Sequence, residues 1–223
     1  MEKIVIFDMD GVLVDTEPVY YKRLEDFLIS RGYAFPRAVL DRLVGESSRK
    51  TFSILKQADP AFYDSEETYR RDYRAYHQGQ RIAYRELANP HVHQTLNQLK
   101  NTGWRLALAS SSPRANIEQV LRELAILPLF EVIASGNDFR ESKPNPEIYL
   151  HVAAELHAKP QQCTVIEDST YGIQAAIRAW PSATSGMDLI NPRPTPCLTI
   201  WRKSRRCWKA ARLMHCTRIS EIN

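Results

Sequence analysis

The sequence IVIFDMDG at residues 4–11 joins a short apolar run to two aspartates. Four bulky apolar residues in succession are typical of a strand that is buried on both faces of a parallel sheet. Because an ionised Asp is rarely buried unless it is paired or bound to a metal, Asp8 and Asp10 require a cation or solvent where this strand ends. Short Asp-Gly segments also form turns in which the carboxylates accept hydrogen bonds from backbone amides. The stretch alone therefore leaves a functional site and a simple turn equally open.

Three further apolar runs lie at 106–109, 132–134 and 164–166, and polar residues follow each of them. Helical patterns separate these runs, so the chain predicts βα units and an α/β core with a parallel sheet. In such sheets ligands bind outside the carboxyl ends of the strands. We therefore expect one pocket to collect the polar residues that follow the four runs, namely Asp8, Asp10, Ser110, Ser135, Glu167 and Asp168.

The interval between the first two apolar runs contains no comparable strand pattern. Its apolar residues instead have helical spacing in three segments, 18–31, 37–57 and 64–80. Gly32 suits the C-terminus of the first of these helices. We predict that residues 17–80 form a helical insertion, folded as a separate cap, and that 1–16 and 81–179 form the catalytic core.

Two local patterns carry further expectations. Ser112 and Pro113 precede a helical pattern, where Ser is expected to cap the helix and Pro to take its first position. Four tyrosines in the insertion could stack on nucleic-acid bases, but their helical spacing and the interleaved acidic residues favour packing inside the cap. These tyrosines are Tyr63, Tyr69, Tyr73 and Tyr76.

The net charge of +4 is unevenly distributed along the 223 residues. Residues 180–223 contain eight Lys or Arg and two acidic residues, a balance of +6, so the rest of the chain carries −2. No apolar stretch approaches the roughly 20 residues that cross a bilayer, and no signal sequence precedes the first strand, so we expect a cytoplasmic protein. The four cysteines have no paired spacing and are expected to be free thiols.

Four segments together resemble a known family. FDMDGVLVDTEP at 7–18, LALASSSP at 106–113, SKPNPEIY at 142–149 and VIEDSTYGIQAA at 165–176 resemble the four motifs of the haloacid dehalogenase (HAD) superfamily, in the same order. The resemblance covers residues 1–179 and is closest to the subgroup with a helical cap, which contains sugar-phosphate phosphatases and β-phosphoglucomutase. It implies a Rossmann-like, doubly wound core with an inserted α-helical cap.

The resemblance also implies roles for individual residues. Asp8 is the expected nucleophile, and Asp10 the expected general acid and then base. Mg²⁺ is the expected cofactor, bound by Asp8, the backbone carbonyl of Asp10 and Asp168, with Glu167 as a minor ligand or a support for the ligands. The expected phosphate-binding residues are Ser110, Ser111 and Lys143. Taken alone, Lys143 is typical of a solvated loop lysine. Its place in the third motif instead favours a functional role.

Substrate specificity is expected to reside in the cap, at Tyr20, Gly45 and Arg49. The implied function is Mg²⁺-dependent hydrolysis of a small phosphorylated metabolite, such as a sugar phosphate, by a monomeric phosphoric monoester hydrolase without nucleic-acid or membrane partners. The mutases of the subgroup have a His where this chain has Tyr20, which favours hydrolysis over a phosphosugar mutase. A catalytically impaired binding or scaffold protein is an alternative of another class.

The resemblance ends after Ala179, where a proline cluster and a basic run begin. We favour the interpretation that residues 180–223 translate a shifted reading frame. A divergent helix over about 198–213 and a basic arm that binds nucleic acid or membrane are the other interpretations.

Overall fold

The computed structural model describes residues 3–43, 46 and 48–180. Within these residues four strands form one parallel sheet in the order β3-β2-β1-β4. The strands are β1 (Lys3–Phe7), β2 (Trp104–Ser110), β3 (Val132–Ser135) and β4 (Cys163–Ile166). All four apolar runs of the sequence therefore form strands, and the predicted α/β fold with a parallel sheet is confirmed.

The described chain divides into two compact units. The core unit comprises residues 3–15 and 84–180, and the helical unit comprises residues 16–83. The helical unit contains α1 (Glu17–Ser30), α2 (Arg37–Leu40), α3 (Ser48–Ala58) and α4 (Glu66–Tyr76). The core unit contains α5 (Tyr84–Leu87), α6 (Val92–Asn101), α7 (Arg114–Glu123), α8 (Glu147–Glu155) and α9 (Thr170–Ala179). Short 3₁₀ turns occupy Asp41–Leu43, Leu127–Leu129, Gly136–Asp138 and Pro160–Gln162.

Apolar side chains cover both faces of the sheet. Ile4 and Ile6 pack with Val165 and with apolar residues of α8 and α9 in one buried cluster. Val5 and Phe7, which alternate with them along β1, are also buried. Burial of each such side chain stabilises the fold by roughly 1.5–3 kcal/mol. This double cover explains why β1 is a continuous apolar run and not an alternating one.

The strand register brings polar residues to one edge of the sheet. Phe7 pairs with Leu108 of β2 and with Ile166 of β4, so these strands end near the same level. The backbone N–H of Asp8 donates to the carbonyl of Ile166 at 2.9 Å and extends this alignment by one residue. Ser110 pairs with Ser135 of β3. The residues after the strands therefore share one edge, as in other parallel sheets.

An aromatic cluster forms the core of the helical unit. Phe27 of α1 is fully buried and contacts the rings of four tyrosines, Tyr63, Tyr69, Tyr73 and Tyr76. Arg31 forms a bidentate ion pair with Asp72 at 2.7 and 2.8 Å, and the Tyr63 hydroxyl also donates to Asp72. The prediction that these tyrosines pack inside their own unit is confirmed.

The helical pattern over 37–57 is interrupted in the structure. Helix α2 ends at Leu40, a 3₁₀ turn follows, and α3 begins only at Ser48. The backbone N–H of Glu46 donates to the carbonyl of Leu43 at 3.1 Å, which is a turn and not a continuing α-helix. The helical spacing of apolar residues continues through the segment between α2 and α3, so the sequence pattern alone did not predict this break.

Some expectations fall on residues outside the described part of the chain. These include Gly45 and residues 181–223, with the proposed frame shift and three of the four cysteines. Cys163 is buried and is a free thiol. Among the described residues, no helix combines the length and apolarity needed to span a membrane.

Candidate active site

A buried lysine links the ends of three strands. The ammonium of Lys143, in the loop before α8, donates to Asp8 Oδ1 at 2.9 Å, to Glu167 Oε1 at 2.7 Å and to the carbonyl of Ala109 at 2.8 Å. The side chains of Lys143 and Glu167 are only 4% and 1% exposed. Lys143 is therefore a fixed positive charge between two carboxylates, and not a solvated loop lysine.

The charges in this group shift one another's pKa values. Burial disfavours the Lys143 ammonium, but the carboxylates of Asp8 and Glu167 hold its pKa well above the ordinary value. Burial also opposes ionisation of Glu167, yet Lys143 and the N–H of Ser169 hold the pKa of this carboxyl below the ordinary value. The pKa of Asp8 is raised by burial, and Lys143 only partly offsets this effect. Lys143 and the Ser169 donors thus outweigh the effect of burial on the pKa of Glu167, whereas Lys143 does not outweigh it for Asp8.

Glu167 is held by several donors besides Lys143. Its Oε1 accepts from the Tyr149 hydroxyl at 3.0 Å, and its Oε2 accepts from the backbone N–H and the hydroxyl of Ser169, both at 3.0 Å. A Cβ atom at Gly172 would stand 1.6 Å from Glu167 Oε1. The glycine in the first turn of α9 therefore leaves the space that this carboxylate occupies.

Asp168 completes a group of three carboxylates. One oxygen from each of Asp8, Glu167 and Asp168 lies within 4.8 Å of the others. Gly11 has a φ of +78°, and a Cβ there would stand 2.0 Å from Asp168 Oδ2, so only glycine permits this close approach. Burial, followed by the charges of Glu167 and Asp10, raises the pKa of Asp168 to about 6. This group could hold a divalent cation.

Asp10 lies in a tight loop after β1. The carbonyl of Met9 accepts from the N–H groups of Leu13 at 2.8 Å and Val14 at 3.2 Å, and the N–H of Gly11 donates to Val14 at 2.7 Å. The Asp10 carboxylate accepts a hydrogen bond from the Ser112 hydroxyl, at 2.8 Å between Oγ and Oδ2. Asp10 is thereby connected to the carboxyl end of β2.

The structure corrects the expected role of Ser112. Helix α7 begins at Arg114, its N-cap position is occupied by Pro113, and no side-chain hydrogen bond caps it. The Ser112 hydroxyl is directed to Asp10 instead. A Ser-Pro pair before a helical pattern suggests a local cap, whereas the partner here is 102 residues away in the chain.

The serines predicted to bind phosphate lie at the same edge. Ser110 is fully buried, and its Oγ accepts from the backbone N–H of Ser112 at 3.1 Å. Ser111 is exposed, and the Ser142 hydroxyl donates to its Oγ at 3.1 Å. Lys143 reaches the same strand end through the carbonyl of Ala109. Phosphate binding by Ser110, Ser111 and Lys143 remains a prediction.

Two of the three residues predicted to select the substrate are described, and both belong to the helical unit. Tyr20 is partly buried in α1. Arg49 lies in α3 with its side chain 88% exposed, and its Nε is 3.6 Å from Glu66 Oε2. Specificity at Tyr20, Gly45 and Arg49 stays a prediction.

The sequence did not assign a site role to four residues that contact Glu167 or Asp10. Tyr149, Ser169 and Gly172 surround Glu167, and Ser112 contacts Asp10. All four lie inside the segments that carry the family resemblance, which is the signal that could have drawn attention to them.

Comparisons with known proteins assign the chain to a family. Residues 5–181 match the family described as haloacid dehalogenase-like hydrolase. The chain is 36% identical over 174 residues to the phosphorylated carbohydrates phosphatase of Thermotoga maritima, covering 77% of this chain and 79% of that protein. It is 34% identical over 178 residues to the β-phosphoglucomutase of Bacillus subtilis, covering 78% of each. The crystal structure of β-phosphoglucomutase from Clostridium difficile has a TM-score of 0.64 at 26% identity, covering 80% of this chain and 82% of that chain.

These similarities agree with the resemblance carried by the four motifs. The family match extends over most of the described chain and ends at residue 181. The predicted enzyme class, an HAD-like phosphoric monoester hydrolase, is confirmed by the family and by the phosphatase among its relatives. The chain belongs to the haloacid dehalogenase-like hydrolase family.

Proposed function

We propose that this protein is a Mg²⁺-dependent phosphatase that hydrolyses a small phosphorylated metabolite, a sugar phosphate, through an aspartyl-phosphate on Asp8. The observation that carries the proposal is the contact between buried Asp8 and the Lys143 ammonium, beside the carboxylates of Glu167 and Asp168. The substrate class is supported by the relative from Thermotoga maritima, which is named a phosphatase of phosphorylated carbohydrates. We further propose that the enzyme acts as a cytoplasmic monomer.

In the first step a carboxylate oxygen of Asp8 attacks phosphorus. The new bond joins this oxygen to phosphorus, and the bond from phosphorus to the ester oxygen breaks. The departing alkoxide takes a proton from Asp10 and leaves as an alcohol. In the second step water attacks the aspartyl-phosphate, Asp10 takes a proton from that water, and inorganic phosphate leaves while the Asp8 carboxylate is restored.

The charges around Asp8 fit a divalent cation. A carboxylate 4 Å from a phosphate charge is repelled by roughly 4 kcal/mol at an effective dielectric constant of 20. Lys143 supplies one positive charge, whereas Asp8, Glu167 and Asp168 carry three negative charges when ionised. Burial is the main cause of the raised pKa values of Asp8 and Asp168, and the charges of Glu167 and Asp10 add to it. Hard carboxylate oxygens are the ligands that Mg²⁺ prefers.

We assign the Mg²⁺ ligands as Asp8, the backbone carbonyl of Asp10 and Asp168. Bound Mg²⁺ would draw negative charge from the phosphoryl oxygens and favour the ionised form of its ligands. Glu167 lies close enough to belong to this set, but its two oxygens accept four hydrogen bonds, from Lys143, Tyr149 and Ser169. We therefore propose that Glu167 mainly holds Lys143, and contributes to metal binding only as a minor ligand.

Phosphate binding in this proposal falls to the end of β2 and to Lys143. The Lys143 ammonium faces the charge that develops on the phosphoryl oxygens, and Ser110 and Ser111 supply hydroxyl and backbone donors. The helical unit, with Tyr20, Gly45 and Arg49, is proposed to act as a cap that selects the leaving group. A glycine allows close backbone approach, and an Arg pairs with a second phosphate or a carboxylate.

A phosphosugar mutase is the second candidate, and the 34% identity to the β-phosphoglucomutase of Bacillus subtilis favours its consideration. The measurement is incubation with β-glucose 1-phosphate and glucose 1,6-bisphosphate. We expect inorganic phosphate to accumulate faster than glucose 6-phosphate. The reverse order would establish the mutase.

The phosphatase proposal is tested by phosphate release from p-nitrophenyl phosphate and from a panel of sugar phosphates. We expect activity with Mg²⁺, loss of activity with EDTA, and a decrease of at least about 1,000-fold in kcat for Asp8→Asn. Asp64→Asn, which changes an exposed carboxylate of the helical unit, is the matched control and keeps its activity. A folded wild-type protein without Mg²⁺-dependent turnover would instead support a binding or scaffold protein.

A further inference from the structure

The hydroxyl of Ser112 contacts the carboxylate that our proposed function assigns to proton transfer. Ser112 Oγ donates to Asp10 Oδ2 at 2.8 Å. Ser112 is half-buried, so solvent competes only partly for this hydrogen bond. A hydrogen bond from a neutral hydroxyl to a carboxylate is among the stronger hydrogen bonds in proteins. This contact therefore limits the positions that the Asp10 side chain can take.

Ser112 is itself held on three sides. Its backbone N–H donates to Ser110 Oγ at 3.1 Å, and its carbonyl accepts from the Ser135 hydroxyl at 2.7 Å. Pro113 follows it and restricts its backbone to extended conformations. The ends of β2 and β3 thus determine where the Ser112 hydroxyl points, although the segment belongs to no strand or helix.

The start of α7 stabilises the same segment. The guanidinium of Arg114 donates to the carbonyl of Ile133 at 3.0 Å and to Asp138 at 2.6 Å. The backbone N–H of Ser135 donates to the same Asp138 carboxylate at 3.2 Å. Arg114, two residues after Ser112, is therefore joined to the end of β3, and Ser110, two residues before it, pairs with Ser135 there. These contacts restrict the positions open to the Ser112 hydroxyl.

We propose that Ser112 is a positioning residue for Asp10, and that it determines which carboxylate oxygen exchanges the proton with the leaving alcohol. Donation by Ser112 at Oδ2 favours the transferable proton on Oδ1. As the bond from phosphorus to the ester oxygen breaks, this proton passes from Asp10 Oδ1 to the alkoxide, and a proton of the attacking water later returns to Oδ1. The inference rests on the proposed function and deepens it.

The leaving group provides the test. Benzyl phosphate and p-nitrophenyl phosphate have similar shapes, but the benzyl alkoxide is strongly basic and must be protonated as it leaves, whereas p-nitrophenolate leaves without a proton. Because kcat/KM covers the steps up to release of the alcohol, the ratio of kcat/KM for the two esters reports how well Asp10 delivers its proton. A loss of general structure would lower both values equally.

For Ser112→Ala we expect kcat/KM for benzyl phosphate to fall about 10- to 100-fold, part of the effect of general acid catalysis. The value for p-nitrophenyl phosphate should fall less than about 3-fold, since that leaving group needs no acid. Asp10→Asn should change the ratio in the same direction and further. Ser112→Thr, which retains the hydroxyl, should restore the wild-type ratio.

Ser142→Ala is the control, because it removes another hydroxyl at this edge that contacts Ser111 and not Asp10. It should leave the ratio unchanged. Should Ser112→Ala fail to fold, Ser112→Cys, with a weak donor of similar size, is measured in its place and should change the ratio in the same way. If the ratio of the two kcat/KM values is unchanged in the folded variant, including the case of equal losses on both esters, the inference alone is overturned. A wild-type protein that hydrolyses neither these esters nor any sugar phosphate of the panel with Mg²⁺ would overturn the proposed function and the inference with it.

Discussion

Gly172 and Glu167 are so close that a Cβ atom at residue 172 would stand 1.6 Å from Glu167 Oε1. The glycine lies in the first turn of α9, where its N–H donates to the Ser169 hydroxyl at 3.0 Å. The carboxylate that fills the vacant space accepts hydrogen bonds from Lys143. Glycine at position 172 thus leaves the space in which the Glu167 carboxylate can lie and accept the hydrogen bond from Lys143.

We expect Gly172→Ala to destabilise the protein by about 1–3 kcal/mol, as other overpacked sites do. In an unobstructed helix the same change usually stabilises, because Ala loses less conformational entropy than Gly. The sign of the change in unfolding free energy, measured by urea denaturation, therefore separates the two cases. A stabilised variant with full activity would show that Glu167 does not need this space.

Lys143→Met should be strongly destabilising at pH 7. It leaves the buried carboxylates of Asp8 and Glu167 without their ammonium partner, and breaking a buried pair in this way costs about 3–5 kcal/mol. Urea denaturation measures the loss, and Lys159→Met, at an exposed position, is the control. Addition of Glu167→Gln to Lys143→Met should recover part of the stability without activity, and no recovery would argue against the charge explanation.

Asp168 should couple stability to pH and to Mg²⁺. Its pKa is raised to about 6 from an ordinary value of 3.8, so without metal the folded state binds the proton more tightly than the unfolded state. The stabilisation from this group is therefore present below about pH 4 and is lost as the pH rises through 6.

Mg²⁺ should offset that loss at pH 7, because it favours the ionised carboxylate. We expect Mg²⁺ to raise the Tm of the wild-type protein at pH 7 and to leave the Tm of Asp168→Asn nearly unchanged. Thermal unfolding with and without Mg²⁺ measures the difference, and Asp64→Asn should respond as the wild type does. An equal response of Asp168→Asn would exclude this residue as a ligand.

His77 should make the helical unit sensitive to acid. The ring is buried beside Tyr73 and Tyr76, and its Nδ1 lies 2.9 Å from Gln80 Oε1. Burial lowers the pKa of this histidine, so the folded state favours the neutral ring. The stabilisation is present above the unfolded pKa of 6.5 and is lost as the pH falls through and below it.

Replacement of His77 by Phe removes this titration. We expect the unfolding free energy of His77→Phe to fall less than that of the wild type between pH 7 and pH 5. His93→Phe, at an exposed position of α6, should retain the wild-type dependence. Parallel pH profiles for His77→Phe and wild type would assign the acid sensitivity to other groups.

Much of the core unit could be predicted because its signals are local. Apolar runs such as Ile4–Phe7 indicate strands that are buried on both faces of a sheet. The polar residues that follow them indicate the carboxyl edge of that sheet. Lys143 and Asp8 could be nominated as partners because their motifs resemble a family. Helices α1 and α4 followed from helical spacing, and Gly32, with a φ of +78°, ends the first as expected.

Long-range contacts decided the rest. Whether the Ser112 hydroxyl caps α7 or reaches Asp10 depends on the register of β1 and β2, since the two residues are 102 positions apart. Likewise, the hydrogen bonds that Glu167 accepts from Lys143 and Tyr149 join residues 24 and 18 positions apart in the chain. The order of the amino acids was sufficient to identify the strands, the family and the chemical groups, because these depend on neighbours in the chain. Which of these groups form hydrogen bonds with one another depends on the distances that folding creates, so only the three-dimensional structure could show these pairs.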